Sequence, residues 1–217
     1  MKIHHLSEKN SVLNHFLGEI REQDIQKDRL RFRRNIERIG EIMAYEISKE
    51  LQYKSWEIST PLGTKKSSEI KGKIVICSIL RAGLTLHNGF LNYFDGAENG
   101  FISAYRFHPN SDDKFEIKVE YEAVSDINDS NLILVDPMLA TGQSIVAVFN
   151  KLIAKGAPKE IHLAVVIAAP EGIKYLESLL PDNCHLWIAS IDEKLNEKNY
   201  IIPGLGDAGD LAFGTKL

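Results

Sequence analysis

Residues 131–146 read NLILVDPMLATGQSIV, and this stretch decides the fold class. Its first five residues, NLILV, are mostly apolar and branched, which is typical of a strand that is buried on both faces of a parallel sheet. Asp136 and Pro137 end the run, and the small-residue loop LATGQS then leads into the apolar spacing of a helix. The stretch therefore predicts a buried strand, a hydroxyl-bearing turn and a helix in succession.

Apolar runs of the same kind recur along the chain, at residues 73–80, 161–169 and 185–191. Helical spacing of apolar residues separates these runs, at residues 84–94, 144–155 and 171–180. Such alternation predicts an α/β fold, in which helices flank a parallel sheet on both faces. The chain has 217 residues and no internal repeat or evident linker, so we expect a single domain over residues 1–217.

The composition is that of an ordinary globular protein, with 44% hydrophobic and 26% charged residues. No apolar run approaches the ~20 residues of a membrane-spanning helix. The first ten residues, MKIHHLSEKN, lack the apolar segment of a signal peptide. We therefore expect a cytoplasmic protein that contacts no membrane. The net charge of −4 provides no general basic field for nucleic acid.

One basic segment lies within a long helix predicted over residues 28–51. Its apolar face is formed by Phe32, Ile36, Ile39, Met43 and Ile47. The other faces carry arginines at positions 29, 31, 33, 34 and 38, which could form a solvated surface or a patch for an anionic partner. Glutamates follow these arginines closely, which favours the solvated surface. We expect no nucleic-acid partner.

The cysteines and the N-terminal histidines offer little chemistry by their spacing. Cys77 and Cys184 lie far apart in apolar segments, form no CxxC pair and are expected to be small core residues. His4, His5 and His15 lack partners at the spacing of metal ligands, so we expect no metal cluster there. No Ser-His-Asp or Cys-His arrangement is evident.

Three loops follow the apolar runs, at residues 81–83, 136–144 and 170–172. In open α/β sheets, ligands bind beyond the carboxyl ends of the strands. Because the carboxyl ends of parallel strands lie at the same edge, we expect these three loops to meet there.

The loop at residues 136–144 has the features of a ribose-phosphate site. Backbone N–H groups at the start of the following helix form an anion cradle, to which Thr141 and Ser144 add hydroxyl groups. Asp136 would repel a phosphate, but it can accept hydrogen bonds from sugar hydroxyls. A plain strand-to-helix turn would show the same local pattern, so the loop alone leaves both interpretations open. It contains neither a GxxxxGK[ST] nor a GxGxxG motif.

Two arginines stand near strand ends, Arg81 after the run at 73–80 and Arg106 in ISAYRFHP. A guanidinium group at such a position can bind a phosphate through two parallel hydrogen bonds. A single strand-end arginine is more often a surface salt bridge. Two of them near one phosphate loop favour a phosphate-binding role. The polar stretch HPNSDDK at residues 108–114 is expected to be a loop.

The segment at residues 200–215, YIIPGLGDAGDLAFGT, contains four glycines, at positions 204, 206, 209 and 214. Glycine loses much conformational entropy on folding, so the run indicates either a flexible tail or a loop whose backbone approaches a flat ligand. Apolar neighbours such as Ile202, Leu205 and Leu211 favour an anchored loop.

Taken in order, the stretches SILRAGLTLHNG, VDPMLATGQS, AAPEGI and YIIPGLGDAGD resemble the uracil phosphoribosyltransferase family. The resemblance extends from about residue 21 to residue 215, and GLGDAGD is its most specific part. It implies an enzyme of pyrimidine salvage that transfers phosphoribose from phosphoribosyl pyrophosphate (PRPP) to uracil, giving UMP and pyrophosphate. It also implies a type I phosphoribosyltransferase fold, a parallel sheet flanked by helices with a small hood built from both chain ends.

The resemblance carries particular roles to residues of this chain. Arg81, Arg106 and Asp207 would contact PRPP, together with the loop residues Asp136, Pro137, Met138, Leu139, Ala140, Thr141, Gly142, Gln143 and Ser144. Uracil would be bound by Ile201, Gly206, Asp207 and Ala208. Mg²⁺ is expected to be carried by the pyrophosphate without a direct protein ligand, and no protein nucleophile is expected. The family also implies a homodimer or higher homo-oligomer, for which the helix at 28–51 offers a surface.

Three departures from the family pattern stand out. Gln143 occupies the position of a second glycine, and Leu211 that of a basic residue, while residues 107–126 match poorly. If position 143 requires a positive φ, glutamine there costs about 1–2 kcal/mol. The departures motivate an alternative of a different class, a non-catalytic PRPP or UMP sensor on the same fold.

Overall fold

The computed structural model describes residues 1–107 and 116–216, with the backbone alone at residues 105–107 and 116–117. The elements up to the middle of the chain are β1 Lys2–His5, α1 Val12–Arg21, α2 Arg29–Ser48, β2 Tyr53–Thr60, β3 Gly63–Ile70, β4 Ile74–Leu80, α3 Gly83–Leu91, β5 Glu98–Phe107 and β6 Glu116–Ala123. The later elements are β7 Asn131–Val135, β8 Met138–Leu139, α4 Gln143–Ile153, β9 Glu160–Ala168, α5 Pro170–Leu179, β10 Cys184–Ile191, β11 Lys194–Leu195, β12 Ile201–Ile202 and α6 Ala208–Phe213.

The central sheet has the strand order β1–β10–β9–β7–β4–β5–β6, and the short β8 pairs with β9. Every neighbouring pair is parallel except β5 with β6. The four strands predicted from apolar runs are β4, β7, β9 and β10, and they form the middle of the sheet together with β5. The predicted fold class, a parallel sheet flanked by helices, is confirmed.

Side chains alternate between the two faces of β7, and each face has its own hydrophobic cluster. Ile133 and Val135 pack with residues of α1, α2 and α3, whereas Leu132 and Leu134 pack with residues of α4 and α5. Cys77 and Cys184 are buried free thiols, in agreement with their predicted core role. None of the helices among the described residues combines the length and hydropathy needed to cross a bilayer.

Helix α2 is the platform on which both ends of the chain pack. All five apolar residues predicted for its inner face are buried, and both α1 and α6 contact the helix. Four of its five arginines are exposed, as the predicted solvated surface requires, and Arg33 is partly exposed. Two of the five also bond to other parts of the chain. Arg31 pairs with the buried Glu19, and Arg33 donates to the carbonyl oxygen of Ala212 at 2.8 Å. Segments from both ends of the chain therefore pack on α2, and the predicted hood over the site stays a prediction.

An antiparallel hairpin of β2 and β3 forms a separate two-stranded sheet, which the sequence pattern did not predict. Nearly every residue of the hairpin is at least partly exposed, including Trp56 and Leu62. Its sequence, YKSWEISTPLGTKKSSEI, alternates too weakly to signal a buried face.

Two glycines allow α2 and α3 to pack with their backbones in contact. A Cβ atom added to Gly89 would stand 2.1 Å from the carbonyl oxygen of Glu37. A Cβ atom on Gly40 would stand 2.7 Å from the carbonyl oxygen of Leu86. Neither backbone oxygen can move without shifting its helix, so the interface leaves no room for a side chain.

We expect Gly89→Ala to lower the free energy of unfolding by about 1–3 kcal/mol, because the added methyl group forces α2 and α3 apart. Gly18→Ala in the middle of α1 is the matched control. No heavy atom lies within 4 Å of its Cβ position, so it should be neutral or stabilising by up to about 1 kcal/mol. Urea unfolding of both variants measures the difference, and equal effects would contradict the close packing.

Candidate active site

The loops that follow β4, β7 and β9 meet at one edge of the sheet, as predicted. A Cβ atom on Gly83 would lie 2.9 Å from the carbonyl oxygen of Val135, which places the β4 loop against the end of β7. A Cβ atom on Gly172 would lie 2.3 Å from the carbonyl oxygen of Ala140, which places the start of α5 against the loop at 136–144. The candidate phosphate loop is therefore fixed by backbone contacts from a neighbouring loop.

The loop at residues 136–144 ends at the N-terminus of α4, whose N-cap residue is Gly142 with a φ of +80°. Its first residues extend the sheet, because Met138 and Leu139 pair with β9. The side chains of Thr141 and Ser144 are partly exposed beside the helix N-terminus. The Gln143 N–H donates to Thr141 Oγ1 at 3.5 Å. The arrangement places hydroxyl groups beside a helix N-terminus, as an anion-binding site requires. Pro137 and Leu139 are buried, so they can contribute only backbone groups.

Gln143 takes the first position of α4 and is exposed. The positive φ in this loop belongs to Gly142, and among the described residues only Asp129 and Asn199 combine a positive φ with a side chain. The glutamine therefore occupies an ordinary helical conformation, without the backbone cost considered for a second glycine position. This observation removes one reason for the sensor alternative.

Arg81 joins the β4 loop to the C-terminal segment. Its Nη2 donates to Asp210 Oδ1 at 2.7 Å, and its Nη1 donates to the carbonyl oxygen of Gly214 at 3.2 Å. Its Nε is buried and has no acceptor among the described residues. Arg81 is therefore more than a surface salt bridge, because it spans two loops of the site and retains a donor for an anionic ligand.

The C-terminal glycine-rich segment is an anchored loop, and the flexible-tail interpretation is wrong. Buried side chains hold it on the core: Ile201, Leu205, Ala208 and Ala212. Gly204 and Gly206 adopt positive φ values of 61° and 96°, which explains two of the glycines by backbone conformation. Asp207 is the N-cap residue of α6, where its Oδ1 accepts a hydrogen bond from the Asp210 N–H at 2.9 Å.

The four residues expected to bind uracil differ in what they can present. Gly206 and Asp207 are exposed, so both backbone and side-chain groups are accessible there. Ile201 and Ala208 have buried side chains. A ligand can therefore contact these two residues only through their backbone.

The pKa of Asp136, in the candidate phosphate loop, depends in part on Asp207 in the GLGDAGD segment. Burial raises the pKa of its carboxyl group to about 7, the backbone N–H of Met138 opposes this shift, and the charge of Asp207 adds to it. Asp207 can influence Asp136 only if the two carboxyl groups are close in space. Arg81 of the β4 loop also bonds to Asp210, and Gly83 of the same loop lies against the end of β7. The candidate phosphate loop and the GLGDAGD segment therefore lie at the same edge of the sheet.

Arg106 lies on β5, where its Cα pairs with that of Ile117 on β6. Its side chain falls outside the described part of the structure, so its predicted contact with phosphate stays a prediction. The predicted polar loop at residues 108–114 also lies outside the described residues.

Comparisons with known proteins identify the family of the chain. A family model for uracil phosphoribosyltransferase matches residues 7–215. The chain is 52% identical over 217 residues to a uracil phosphoribosyltransferase from Porphyromonas gingivalis, covering 100% of both chains. The chain belongs to the uracil phosphoribosyltransferase family. The resemblance predicted from its motifs is confirmed.

Other relatives extend this finding. A uracil phosphoribosyltransferase from Staphylococcus haemolyticus is 42% identical over 209 residues, covering 94% of this chain and 95% of the relative. The solved structure of the AQ2163 protein from Aquifex aeolicus has a TM-score of 0.88 at 29% identity and covers 99% of both chains. A hypoxanthine phosphoribosyltransferase from Staphylococcus aureus has a TM-score of 0.50 at 14% identity, covering 84% of each chain, and shares the fold.

Sequence reasoning did not identify one interaction beside the candidate site, a clamp formed by Arg21 and Asp192. Arg21 pairs with both carboxylate oxygens of Asp192 and donates to the carbonyl oxygen of Gly204 at 3.0 Å. Asp192 Oδ2 also accepts from the Gly204 N–H at 2.8 Å. The clamp therefore ties the end of α1 to Gly204, the first residue of the GLGDAGD segment. Asp192 directly follows β10, so the strand-end rule could have identified it.

We expect Arg21→Gln to lower the free energy of unfolding by about 2–4 kcal/mol, because it leaves the buried Asp192 carboxylate without its cation. The side chain of Asp192 is only 4% exposed, and that of Arg21 is 22% exposed. Lys27→Gln is the control, because Lys27 pairs with Asp24 on the open surface and should cause no measurable change. Thermal unfolding distinguishes the two variants, and a stable Arg21 variant would contradict the clamp.

A second prediction concerns pH. The pKa of Asp136 is about 7 in the folded chain, above its ordinary value of 3.8. The folded state therefore binds this proton more tightly, and stability is lost as pH rises from about 4 to about 7. Asp136→Asn cannot ionise. Between pH 5 and pH 8, we expect the wild type to lose about 2–3 kcal/mol relative to this variant. Unfolding of both proteins is measured without ligand. If the free energies of unfolding of the wild type and of Asp136→Asn change equally with pH, the pKa of Asp136 is not raised and the prediction is wrong.

Proposed function

We propose that the chain transfers the 5-phosphoribosyl group from PRPP to uracil, releasing UMP and pyrophosphate, as a pentosyltransferase of pyrimidine salvage. The observation that carries this proposal is the convergence of the loop at 136–144 with the GLGDAGD segment at 204–210. Arg81 donates a hydrogen bond to Asp210 in the second segment. The charge of Asp207 contributes to the raised pKa of Asp136. Membership of the uracil phosphoribosyltransferase family supports the same substrates.

The phosphate half of the proposed site binds PRPP. The N-terminus of α4, with the hydroxyl groups of Thr141 and Ser144, accepts the 5-phosphate. Asp136 accepts hydrogen bonds from the ribose hydroxyls. Arg81 supplies guanidinium donors to the pyrophosphate group, and Arg106 is proposed for the same role. Bond cleavage leaves positive charge on the ribose and negative charge on pyrophosphate. Fixed charges can stabilise both without a protein nucleophile.

The base half of the proposed site reads the edge of uracil. Uracil presents two carbonyl groups with an N–H between them, a pattern that backbone N–H and C=O groups can complement. The exposed Gly206 and Asp207 are followed by Ala208 at the start of α6, and Ile201 adds its backbone. The positive φ of Gly206 orients this backbone in a way that a side-chain-bearing residue rarely adopts.

Mg²⁺ is proposed as the cofactor, carried by the pyrophosphate group of PRPP. The residues fit this arrangement, because few free carboxylates are available in the described site. Asp210 pairs with Arg81, Asp207 caps α6 and Asp136 has a raised pKa. Mg²⁺ commonly binds through substrate phosphates and water with few protein ligands. When bound, it neutralises charge on the leaving pyrophosphate, while Asp207 can accept from a water in its shell.

The experiment that tests the proposed function uses purified protein with PRPP, Mg²⁺ and labelled uracil. UMP and pyrophosphate should form in equal amounts, and omission of Mg²⁺ should abolish turnover. Parallel reactions with cytosine, hypoxanthine and orotate test the base specificity and should give no nucleotide. Absence of UMP at saturating substrate would falsify the proposal.

We expect Asp207→Ala and Asp207→Asn to separate the two roles of this residue. Loss of a charged hydrogen bond costs about 1.5–3 kcal/mol, so kcat/KM for PRPP should fall roughly ten- to a hundredfold in both variants. Alanine also removes the N-cap and should destabilise the chain by about 1 kcal/mol, whereas asparagine is a good N-cap and should not. Steady-state kinetics and thermal unfolding measure both effects. Full activity of the Asn variant would exclude the charge from the reaction.

We also propose a cytoplasmic homo-oligomer, most simply a dimer, with each chain forming one domain. Helix α2 is less suited to the contact than the sequence indicated, because its apolar face is covered by α1, α3 and the sheet. The β2–β3 hairpin is better suited. A two-stranded hairpin is marginally stable alone, and Trp56 and Leu62 expose apolar surface on it. A species of 24.4 kDa at micromolar concentration in sedimentation experiments would contradict oligomerisation.

A further inference from the structure

A second cluster of polar side chains lies at the edge of the sheet formed by β1 and β10. His4 Nε2 and His185 Nδ1 form a hydrogen bond at 3.2 Å, which a bound metal ion would replace. Glu50 follows the end of α2 beside them. One ligand atom from each of these three residues lies within 4.8 Å of the other two. In the β1–β10 ladder, Lys2 pairs with His185 and His4 pairs with Trp187. The cluster therefore lies in the first half of β10, whereas the candidate active site lies beyond the strand's carboxyl end.

The spacing of the two ring nitrogens matches that of ligands on one metal ion. Bonds of about 2.0–2.1 Å at tetrahedral angles hold two nitrogen ligands about 3.3 Å apart. Burial, with the charge of Lys2 adding to it, lowers the pKa of His4 to about 4. Burial also lowers the pKa of His185. Burial thus favours the neutral form of both rings, and a metal ion binds a neutral imidazole.

The ring of His4 is held in place by packing beneath it. It stacks on Trp187 with a centroid distance of 3.7 Å and an interplanar angle of 4°. The Trp187 Nε1–H donates to Nδ1 of the buried His162 at 3.2 Å, so the neutral His162 carries its proton on Nε2. His162 thus cannot act as a ligand through either nitrogen. It orients Trp187, and Trp187 orients His4, as supporting residues do around metal sites.

The carboxylate of Glu50 would be the third ligand, and Lys2 competes with a metal ion for it. Lys2 Nζ pairs with Glu50 Oε2 at 2.7 Å, but the side chain of Lys2 is 54% exposed and can move into solvent. Glu50 lies two residues beyond the end of α2, so its carboxylate can shift toward the histidines. A cavity of about 470 Å³ opens beside the cluster and is lined by His4, Glu50 and Trp187. It provides an entry path and room for a water ligand.

We propose that His4, His185 and Glu50 bind a divalent transition-metal ion of the Zn²⁺ class, with water completing the coordination. Two imidazoles and one carboxylate suit such an ion, whereas Mg²⁺ prefers oxygen ligands throughout. The bound ion fastens the edge strand β1 to β10 and to the end of α2. The site is structural, and it is separate from the Mg²⁺ that the proposed reaction uses.

Calorimetric titration of untagged, EDTA-treated protein with Zn²⁺ tests the site. We expect one ion per chain with micromolar affinity, and no binding of Mg²⁺ at the same concentrations. His4→Phe keeps a ring on Trp187 but removes the nitrogen, so affinity should fall at least about tenfold. Glu50→Gln should also weaken binding at least about tenfold. Lys2→Gln should strengthen it severalfold, because the competing ammonium group is gone.

The matched control is His15→Ala. His15 Nε2 also stands close to a carboxylate, 3.3 Å from Glu19 Oε1, but it has no second imidazole beside it. This variant should bind Zn²⁺ as the wild type does. Wild-type affinity in both the His4 and the Glu50 variants would overturn the proposal, as would the absence of saturable one-to-one binding. If His4→Phe fails to fold, the Zn²⁺ affinity of Glu50→Gln decides whether the site exists, because Glu50 is exposed and its replacement should not disturb folding.

An independent readout comes from fluorescence in a Trp56→Phe background, where Trp187 is the single remaining tryptophan. Because His4 stacks on Trp187, Cu²⁺ or Ni²⁺ bound at this site should quench its emission saturably, with one-to-one stoichiometry. Zn²⁺ should compete with the quenching ion. If the double variant Trp56→Phe, His4→Phe shows the same quenching as Trp56→Phe alone, the ion does not bind at this cluster.

Discussion

The burial of β7 on both faces is the constraint on which the rest of the structure depends. All five of its residues are buried, so a strand must lie on each side of it and a helical layer above and below. The parallel neighbours β4 and β9 and the two hydrophobic clusters satisfy this requirement. The first ionisable residue after the strand, Asp136, then emerges at the carboxyl edge of the sheet. The position of the candidate active site thus follows from the burial of β7 in the middle of the sheet.

The central strands and the loops after them could be predicted because their signals are local. An unbroken apolar run leaves little choice of environment, and the residue after it must lie at an edge. The edge strand β1 reads KIHH, and the hairpin is mostly polar, with only scattered apolar residues. Such segments become strands because they pair with other strands. The local sequence of a segment does not show which strand it pairs with.

Within the site, sequence reasoning identified groups but not their partners. Arg81 was expected to face a phosphate, and its bonds to Asp210 and Gly214 connect residues more than a hundred positions apart. Arg21 and Asp192 are separated by 171 positions, and although the family resemblance begins at about residue 21, no sequence pattern paired the two residues. The conformation of Gln143 was likewise open until the positive φ was found at Gly142. Long-range pairing and backbone dihedrals are tertiary properties, so they require the fold.

The dependence of the site on its C-terminal segment has a consequence for synthesis. The strands of the central sheet and the candidate phosphate loop lie before residue 192, whereas the partners of Arg81 lie in the segment after residue 200. That later segment also adds buried side chains to the core beside α2. During synthesis the strands can therefore pair before Arg81 has its partners, so the candidate site takes its final arrangement after the sheet.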